Sequence, residues 1–598
     1  MYKAPVEEIA FTLKHVAGLA PALEGGHLGD LSDDLVDAIL SEAGRFATEA
    51  VAPLAEIGDR QGARLADGAV TMPDGWPALY KAWAEGGWNS LTASPDFGGQ
   101  GLPHMLHVAA LEMWNSGSMA FAIGPTLTIG AIEALTAHGS DHLKSTYLPK
   151  MVSGEWMGSM NLTEPHAGSD LGVMKTRAER RDDGTYRLFG QKIFITYGEH
   201  DFTDNIVHLV LARLPDAPAG TRGISLFLVP KFLVGVDGSL GARNDAYCHS
   251  IEHKLGIHAS PTCTMIYGDG RFGDEPGAIG WLVGEENRGL ACMFTMMNNA
   301  RLAVGMQGVA IAEAAMQKAI AYAKERTQGK APGWHGGDQG SGMSPIIEHP
   351  DVARMLLTMK VLTQGARAIT YACAHAVDMS HGAEARHWAE RASLLTPIAK
   401  SFATDAGVDV ASLGVQVHGG MGFIEETGAA RLYRDARIAP IYEGTNGIQA
   451  IDLVTRKLPL SDGGHVRGFV GELREIAEKA RLRAGTANTP DLGETGERLD
   501  IAIADLEAAT EWLLATLAAG RQAEALAGAT PYQRLFGLVL TGAYLAKGAL
   551  ADGGDGRNGE RAALCRFAAE NIIGETAALR DRVISGAGSL EAARVVLG

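Results

Sequence analysis

The chain has few cysteines and lacks a run of apolar residues long enough to suggest a membrane-spanning helix. Its five cysteines among 598 residues are odd in number, widely spread and without a CxxC spacing. This pattern argues against a disulfide framework and a zinc site, and it favours a reducing compartment. A spanning helix needs about 20 apolar residues, whereas the most apolar segment, residues 535–546, ends at Lys547. We therefore interpret that segment as a buried helix and expect no membrane span.

A surplus of positive charge is also missing. The chain has 52 Lys and Arg against 70 Asp and Glu, a net charge of −18. Binding to a nucleic-acid backbone requires a basic surface, so we expect no nucleic-acid partner, whereas an anionic small ligand needs only a local group of donors. Residues 1–8 show no basic stretch followed by an apolar one. The sequence thus predicts no signal peptide and a cytoplasmic protein.

What is present is typical of a globular protein of several domains: 46% of the residues are apolar and 20% are charged, and the length suits three to four domains of roughly 150 residues. The sequence predicts an α+β multidomain protein with helical, then β, then helical segments. The expected parts are an N-terminal helical arm (1–40), an α-helical domain (41–158), a middle antiparallel β sheet or barrel (159–285), a C-terminal four-helix bundle (286–460) and an additional helical lobe (461–598).

Periodicity supports this order. Helical spacing of apolar residues predicts two long helices over residues 351–382 and 386–418. Strand-like segments occupy residues 185–190, 192–196, 206–211 and 224–230, with Asp-Gly turns near 184 and 238. Because no helices intervene between these strands, we expect antiparallel pairing.

A GxGxxG pattern at residues 268–273 follows a strand-like run. The dinucleotide-binding fingerprint requires a helix to open at this point. Here the chain continues with Asp274, Glu275, Pro276 and Gly277, which predicts a turn. We therefore expect no Rossmann site there.

Several other segments have residue types suited to contacting a polar ligand. Residues 160–170 combine small hydroxylated residues with glycine, which exposes backbone N–H groups, although the same residues favour a simple turn. Residues 416–423 contain three glycines within four residues after a predicted helix, which lets backbone lie against a ligand or merely caps the helix. Arg326 near a helix end suits a phosphate or simply complements the helix dipole.

Glu443 lies in the segment Tyr442–Glu443–Gly444–Thr445, behind Arg434, Asp435 and Arg437. A carboxylate with a glycine neighbour can approach a substrate carbon closely, because glycine has no Cβ in the way. A free glutamate has a pKa of about 4.3 and is a weak base. A dry pocket would raise this pKa and strengthen the base.

Together these segments resemble the acyl-CoA dehydrogenase family, over about residues 40–460. The arm and the last lobe are similar to those of longer bacterial members, which include fatty acyl-CoA and 3-methylmercaptopropionyl-CoA dehydrogenases. The resemblance implies FAD as cofactor and Glu443 as the base that removes the α-proton of an acyl-CoA thioester, while the β-hydrogen leaves as hydride to flavin N5. It further implies a trans-2-enoyl-CoA product and a role in fatty acid β-oxidation.

The resemblance also implies binding roles, residue by residue. The expected cofactor-binding residues are Thr163, Ser169, Phe194, Thr196, Arg326, Gln416, Gly419, Gly420, Thr445 and Asn446. The expected substrate-binding residues are Ser169, Phe97, Asn298, Arg301 and Gly444. The backbone N–H of Glu443 would hold the thioester oxygen together with a flavin ribityl hydroxyl.

Two positions depart from the family pattern. Phe194 stands where a tryptophan is usual, so it can pack on a ring but offers no N–H donor. Gln328 stands where an aromatic is usual, so an aromatic wall on the cofactor is missing. Viewed alone, Phe194 is equally consistent with a core aromatic of a strand.

The resemblance predicts electron transfer to an electron-transferring flavoprotein. Two alternatives stay open at this point: an acyl-CoA oxidase that gives its electrons to oxygen, and a non-enzymatic acyl-CoA-binding scaffold on the same fold. Longer members with an extra C-terminal lobe are commonly dimers, since the lobe covers a surface that shorter members use to form tetramers. We therefore expect a homodimer.

Overall fold

The computed structural model describes residues 1–273, 275–335, 342–382, 384–483, 491–551 and 556–597, apart from the side chain of Asn298. One strand-rich region lies between two helical regions of the chain, which confirms the predicted α+β multidomain class. The helices are α1 Val6–Phe11, α2 Leu19–Glu24, α3 Asp33–Phe46, α4 Ala55–Gln61, α5 Trp76–Glu85, α6 His104–His138, α7 Asp141–Val152, α8 Gly289–Glu325, α9 Pro350–Met379, α10 Ala385–His418, α11 Ala429–Ala436, α12 Asn446–Asp452, α13 Gly464–Leu482, α14 Thr495–Ala518, α15 Gln522–Ala527, α16 Ala529–Leu550, α17 Asn558–Asn571 and α18 Thr576–Ala593.

The strands cluster between α7 and α8, with one small hairpin earlier. They are β1 Arg64–Ala66, β2 Ala69–Thr71, β3 Trp156–Asn161, β4 Arg177–Arg180, β5 Tyr186–Thr196, β6 Asn205–Arg213, β7 Ile224–Pro230, β8 Phe232–Val234, β9 Leu240–Arg243, β10 Ala246–Ile251, β11 Thr262–Tyr267 and β12 Ala278–Val283.

The chain separates into two compact units. One contains residues 46–103 and 117–300, and the other contains residues 1–45, 104–116 and 301–598. We call the first the sheet unit and the second the helical unit. The finer division into five parts stays a prediction.

The sheet unit is built on an eight-stranded sheet in the order β10-β11-β5-β12-β7-β6-β3, with β4 beside β5 and β6. Most pairs are antiparallel, as expected, but β3 runs parallel to β6, which the strand spacing did not predict. The long strand β5 pairs with β12 through Tyr186 to Leu188 and with β11 through Gly190 to Thr196. The two halves of β5 therefore have different partners.

The helical unit contains the long helices α9 and α10 over residues predicted to be helical. A buried ion triad fixes α9 within it: the guanidinium of Arg367 donates to Glu112 at 2.8 Å and to Glu313 at 2.6 Å. All three side chains are at most 4% exposed. Buried charges of this kind are tolerated only when paired, so the triad ties α6, α8 and α9 at one place.

The predicted helix at residues 535–546 is confirmed within α16, whose residues are largely buried. The sequence nevertheless pointed to the wrong segment as the most apolar one. Within the described residues, α6 is the helix that is long and apolar enough to cross a membrane by length and composition. Its most apolar window is 83% buried inside the protein, as for a core helix.

No helix begins in the GxGxxG segment or in the described residues 275–277 after it. The turn predicted over residues 274–277 includes Asp274, which lies outside the described residues. The carboxylate of Asp245, which is buried, accepts hydrogen bonds from the backbone N–H groups of Gly270, Arg271, Phe272 and Gly277 at 2.8 to 3.2 Å. Successive N–H groups of this kind bind anions. Here the anion is the protein's own aspartate.

Candidate active site

Glu443 lies in the turn between α11 and α12, in an unusual backbone conformation. Its φ is +54° and that of Gly444 is +82°. Non-glycine residues with positive φ are uncommon and cost of order 1–3 kcal/mol, and they cluster at functional sites. The Nε2 of Gln449 donates to the Glu443 carbonyl at 3.1 Å, and a Cβ on Gly444 would lie 2.7 Å from the same Nε2. The glycine is therefore required both by its φ and by its neighbour.

The charge state of Glu443 is set by opposing effects. Burial raises the pKa of its carboxyl, while the positive charges of Arg301 and Lys400 lower it, and the net shift is upward. A carboxylate with a raised pKa is a stronger base than a free glutamate. The surroundings therefore suit proton abstraction, as the sequence predicted.

Two N–H groups at this site lack a hydrogen-bond acceptor in the described parts of the chain. The backbone N–H of Glu443 has no hydrogen-bond acceptor within the described parts of the chain. The Nε of Arg301, which projects from α8, is buried and likewise lacks a partner there. Buried donors are nearly always satisfied in native proteins, so the Nε of Arg301 is suited to a ligand. The N–H of Glu443 is free to donate to one as well.

Lys400, on α10, was not identified from the sequence. Its side chain is fully buried, and its Nζ donates to the Gly444 carbonyl at 2.9 Å and to Asn446 Oδ1 at 2.8 Å. The sequence signal was the position of this lysine among the apolar residues Ile398, Ala399 and Phe402. Lysine is almost never fully buried unless it is paired, so a lysine in an apolar stretch indicates a specific role.

Thr445 and Asn446 were expected to contact the cofactor. In the structure Thr445 caps α12, its Oγ1 accepting from the Ile448 N–H at 3.3 Å. The Asn446 amide donates to the Ser401 carbonyl at 3.2 Å and to Asp405 at 2.7 Å. These contacts hold the turn, and a phosphate contact from either residue stays a prediction.

Gln416, Gly419 and Gly420 lie at the end of α10. Gln416 and both glycines are exposed, and Gly419 has a φ of +59°. A Cβ built on either glycine would meet no heavy atom within 4 Å among the described residues. The space beside them is thus open, which fits a ligand against the backbone. Arg326 follows α8 directly and is exposed as well.

In the sheet unit, a β-bulge presents Phe194. The register between β5 and β11 shifts between Ile195 and Lys192, and Phe194 has a φ of +59° and is 59% exposed. Bulges often re-aim a side chain next to an active site. An exposed aromatic held in a strained backbone is consistent with a ring-stacking role and argues against a core aromatic.

The Thr163 segment lies beside this bulge. The Ile193 N–H donates to the Thr163 carbonyl at 2.9 Å, and the Lys192 Nζ donates to the Leu162 carbonyl and to Glu164, each at 2.9 Å. Thr163 and Thr196 are half-buried. Two of the motifs found in the sequence are therefore brought together in space.

The structure says less about the roles of the other predicted residues. Ser169 is exposed in the loop after Thr163. Phe97, in a short 3₁₀ turn, packs against the core of the sheet unit. The side chain of Asn298 lies outside the described residues. The roles of these three residues stay predictions.

In the sheet unit the exposed Phe194 next to Thr163 provides a flat apolar surface beside hydroxyls. In the helical unit the open glycines and the exposed Gln416 and Arg326 provide backbone and cationic donors. These are the residue types that a flavin dinucleotide requires for its ring and its diphosphate. The residues present therefore fit FAD.

Comparison with known proteins covers nearly the whole chain. Residues 34–155, 159–269 and 287–458 match the family models for the N-terminal, middle and C-terminal domains of acyl-CoA dehydrogenase, and residues 469–594 match the "Acetyl-CoA dehydrogenase C-terminal like" model. The chain is 46% identical to a 3-methylmercaptopropionyl-CoA dehydrogenase of Ruegeria pomeroyi, over 98% of this chain and 99% of that protein.

Two solved structures share the fold at 22% identity. Caenorhabditis elegans ACDH-11 in complex with C11-CoA superposes with a TM-score of 0.74 over 96% of this chain and 92% of that one. An acyl-CoA dehydrogenase of Bacillus anthracis complexed with FAD superposes with a TM-score of 0.71 over 95% and 91%. By these family matches and the full-length 46% identity, the chain belongs to the acyl-CoA dehydrogenase family of FAD-dependent oxidoreductases.

Proposed function

We propose that this protein introduces a double bond between Cα and Cβ of an acyl-CoA thioester, with Glu443 as the base that takes the α-proton. The observation that carries this assignment is the Glu443 turn: a glutamate with positive φ and a raised pKa beside Arg301. The product is a trans-2-enoyl-CoA.

When bound, FAD supplies the acceptor for the β-hydrogen, which leaves as a hydride. In the sheet unit the residues expected to contact FAD are Thr163, Ser169, Phe194 and Thr196. In the helical unit they are Arg326, Gln416, Gly419, Gly420, Thr445 and Asn446, and Arg326 would reach the flavin of the neighbouring subunit. The exposure of Phe194 and the open space at Gly419 and Gly420 support this assignment.

The chain's own groups account for the proton transfer. Loss of the α-proton places negative charge on the thioester oxygen, and a donor aimed at that oxygen stabilises the transition state. The backbone N–H of Glu443 has no acceptor within the described chain and would serve here. Arg301, whose Nε lacks a partner among the described residues, would stabilise the same negative charge.

For the acyl group we propose a short chain, with 3-methylmercaptopropionyl-CoA first among the candidates. The support is the 46% identity over both full lengths to a protein with that name. Methionines such as Met296, buried in the sheet unit, suit a thioether or a plain alkyl chain equally, so they do not decide between these substrates.

We propose an electron-transferring flavoprotein as the acceptor, in a homodimeric cytoplasmic enzyme of fatty acid β-oxidation. Within the helical unit, α16 of the extra lobe packs on α10, where Gln533 Nε2 donates to the Pro397 carbonyl at 2.9 Å. Light scattering tests the dimer, and fractionation of the native cells tests the location.

The alternative, an acyl-CoA oxidase, would release hydrogen peroxide in stoichiometric amounts under air.

The decisive experiment assays a panel of acyl-CoA thioesters with an artificial electron acceptor. The panel compares the wild type with Glu443→Gln and with Glu591→Gln, a control at an exposed glutamate of α18. We expect at least one short acyl-CoA to be oxidised by the wild type and the control, and none by Glu443→Gln. A wild type that keeps its yellow cofactor but oxidises no thioester would instead favour the non-enzymatic scaffold.

A further inference from the structure

The helical unit buries a lysine directly under the turn that bears Glu443. The side chain of Lys400 is 0% exposed, and its Nζ hydrogen bonds within the described residues go to neutral oxygens. Burying an ammonium is unfavourable when no carboxylate is directly paired with it. A cation in this position therefore calls for a reason beyond packing.

The two hydrogen-bond acceptors of Lys400 are neutral, and both belong to that turn. The Nζ donates to the carbonyl of Gly444 at 2.9 Å and to Oδ1 of Asn446 at 2.8 Å. These residues flank Thr445 and begin immediately after Glu443. The lysine thus binds the backbone one residue after the base. It stabilises a turn in which Glu443 has a φ of +54° and Gly444 a φ of +82°.

We propose that Lys400 is a positioning residue for Glu443: its ammonium fixes the left-handed turn through Gly444 and Asn446 and favours the ionised form of the carboxylate. The proposal rests on the function assigned above and adds a residue to which the family resemblance gave no role. It assigns Lys400 no contact with substrate.

Asn446 makes the arrangement rigid. Its amide donates to the Ser401 carbonyl at 3.2 Å and to Asp405 at 2.7 Å, so that the acceptor of Lys400 is itself held by α10. The lysine and its acceptor are therefore anchored to the same helix. A change at Lys400 should be transmitted to the turn of Glu443 rather than absorbed by a mobile partner.

Electrostatics supports the second half of the proposal. The charged groups that act on Glu443 are Arg301 from α8 and Lys400 from α10. Those acting on Lys400 are Asp405, Glu443 and Arg301; burial lowers the pKa of Lys400 to about 8. At neutral pH the ammonium is charged, and it lowers the pKa of Glu443 from the value that burial alone would give.

The test uses Lys400→Met and Lys400→Gln, which remove the charge, Lys400→Arg, which keeps it, and Lys547→Met as matched control. Lys547 is a half-buried lysine that also donates to a backbone carbonyl, that of Val16 at 2.7 Å. The readouts are flavin content, the rate of flavin reduction by acyl-CoA, and the pH profile of kcat/KM.

We expect both neutral variants to keep flavin, to reduce it at least tenfold more slowly, and to move the acidic limb of kcat/KM to higher pH by about one unit. Lys400→Arg should leave the position of the limb near that of the wild type, and Lys547→Met should change neither rate nor limb. A merely structural lysine would slow or unfold the protein without moving the limb.

Neutral variants that reduce flavin within twofold of the wild-type rate, with an unmoved limb, would overturn the proposal. If neither folds, Asn446→Ser removes one acceptor of the ammonium, and an unchanged reduction rate there would overturn it equally. A wild type inactive on every acyl-CoA would instead defeat the function itself, so the two failures are distinguishable.

Discussion

The Nζ of Lys192 lies 2.9 Å from a carboxylate oxygen of Glu164, and the two side chains are 0% and 2% exposed. This ion pair joins the strand that carries Phe194 to the segment that carries Thr163. The same carboxylate accepts from the backbone N–H groups of Lys175 and Thr176 at 2.7 and 3.0 Å. One buried pair therefore fixes two segments that we expect to meet the flavin.

Lys192→Met should destabilise the sheet unit by about 3–5 kcal/mol, because it leaves a buried carboxylate without its cation. We expect purified Lys192→Met to contain less flavin and to unfold at lower denaturant concentration. The control is Lys150→Met, which removes an exposed ion pair with Glu155 and should cost less than about 1 kcal/mol. Equal unfolding midpoints for Lys192→Met and the wild type would contradict this role of the pair.

The pH dependence of kcat/KM should report the ionisation of Glu443. Since its pKa is raised, the carboxyl gains its proton as pH falls through that value, and the rate falls with it. Arg301 lowers this pKa, so Arg301→Met should shift the acidic limb to higher pH. The exposed Arg594 provides a control, Arg594→Met, with an expected shift of zero. A limb that moved to lower pH in Arg301→Met would contradict the assignment of the base.

Within the helical unit, the additional lobe packs against α10 through Gly537. A Cβ on Gly537 of α16 would lie 2.2 Å from the ring of Phe402 on α10, which is buried. Gly537→Ala should therefore cost about 1–3 kcal/mol, as overpacked cores do. In Gly588→Ala, on α18, the new methyl would meet nothing within 4 Å of the described chain, and this control should be neutral or slightly stabilising. Thermal unfolding of both variants tests the difference, and equal midpoints would show that α16 and α10 are not tightly packed.

Much of the fold followed from the sequence, because apolar periodicity and turn residues act locally. The helices predicted over residues 351–382 and 386–418 appear as α9 and α10 with ends shifted by a few residues. The parallel pairing of β3 with β6 did not follow, because the partner of a strand is chosen by long-range packing that local pattern does not encode. The bulge that exposes Phe194 depends on strand register in the same way.

The site was predicted less completely. Glu443 was recognisable because its neighbours form a pattern, and the glycine after it needed a positive φ. Lys400 lies on α10, 44 residues before Gly444, so only the fold brings it next to the turn of Glu443. Asn446 was expected to contact the cofactor, which stays a prediction. The bonds of its amide to Ser401 and Asp405 on α10 depend on the fold and are not visible in a linear motif.

The central claim is that Glu443 removes the α-proton of an acyl-CoA. It is tested most directly by mixing flavin-loaded protein anaerobically with acyl-CoA, protonated or deuterated at Cα, and following the bleaching of the flavin. We predict a primary isotope effect in the wild type and in Glu591→Gln, and full flavin content without bleaching in Glu443→Gln. Bleaching of Glu443→Gln at the wild-type rate would contradict the account.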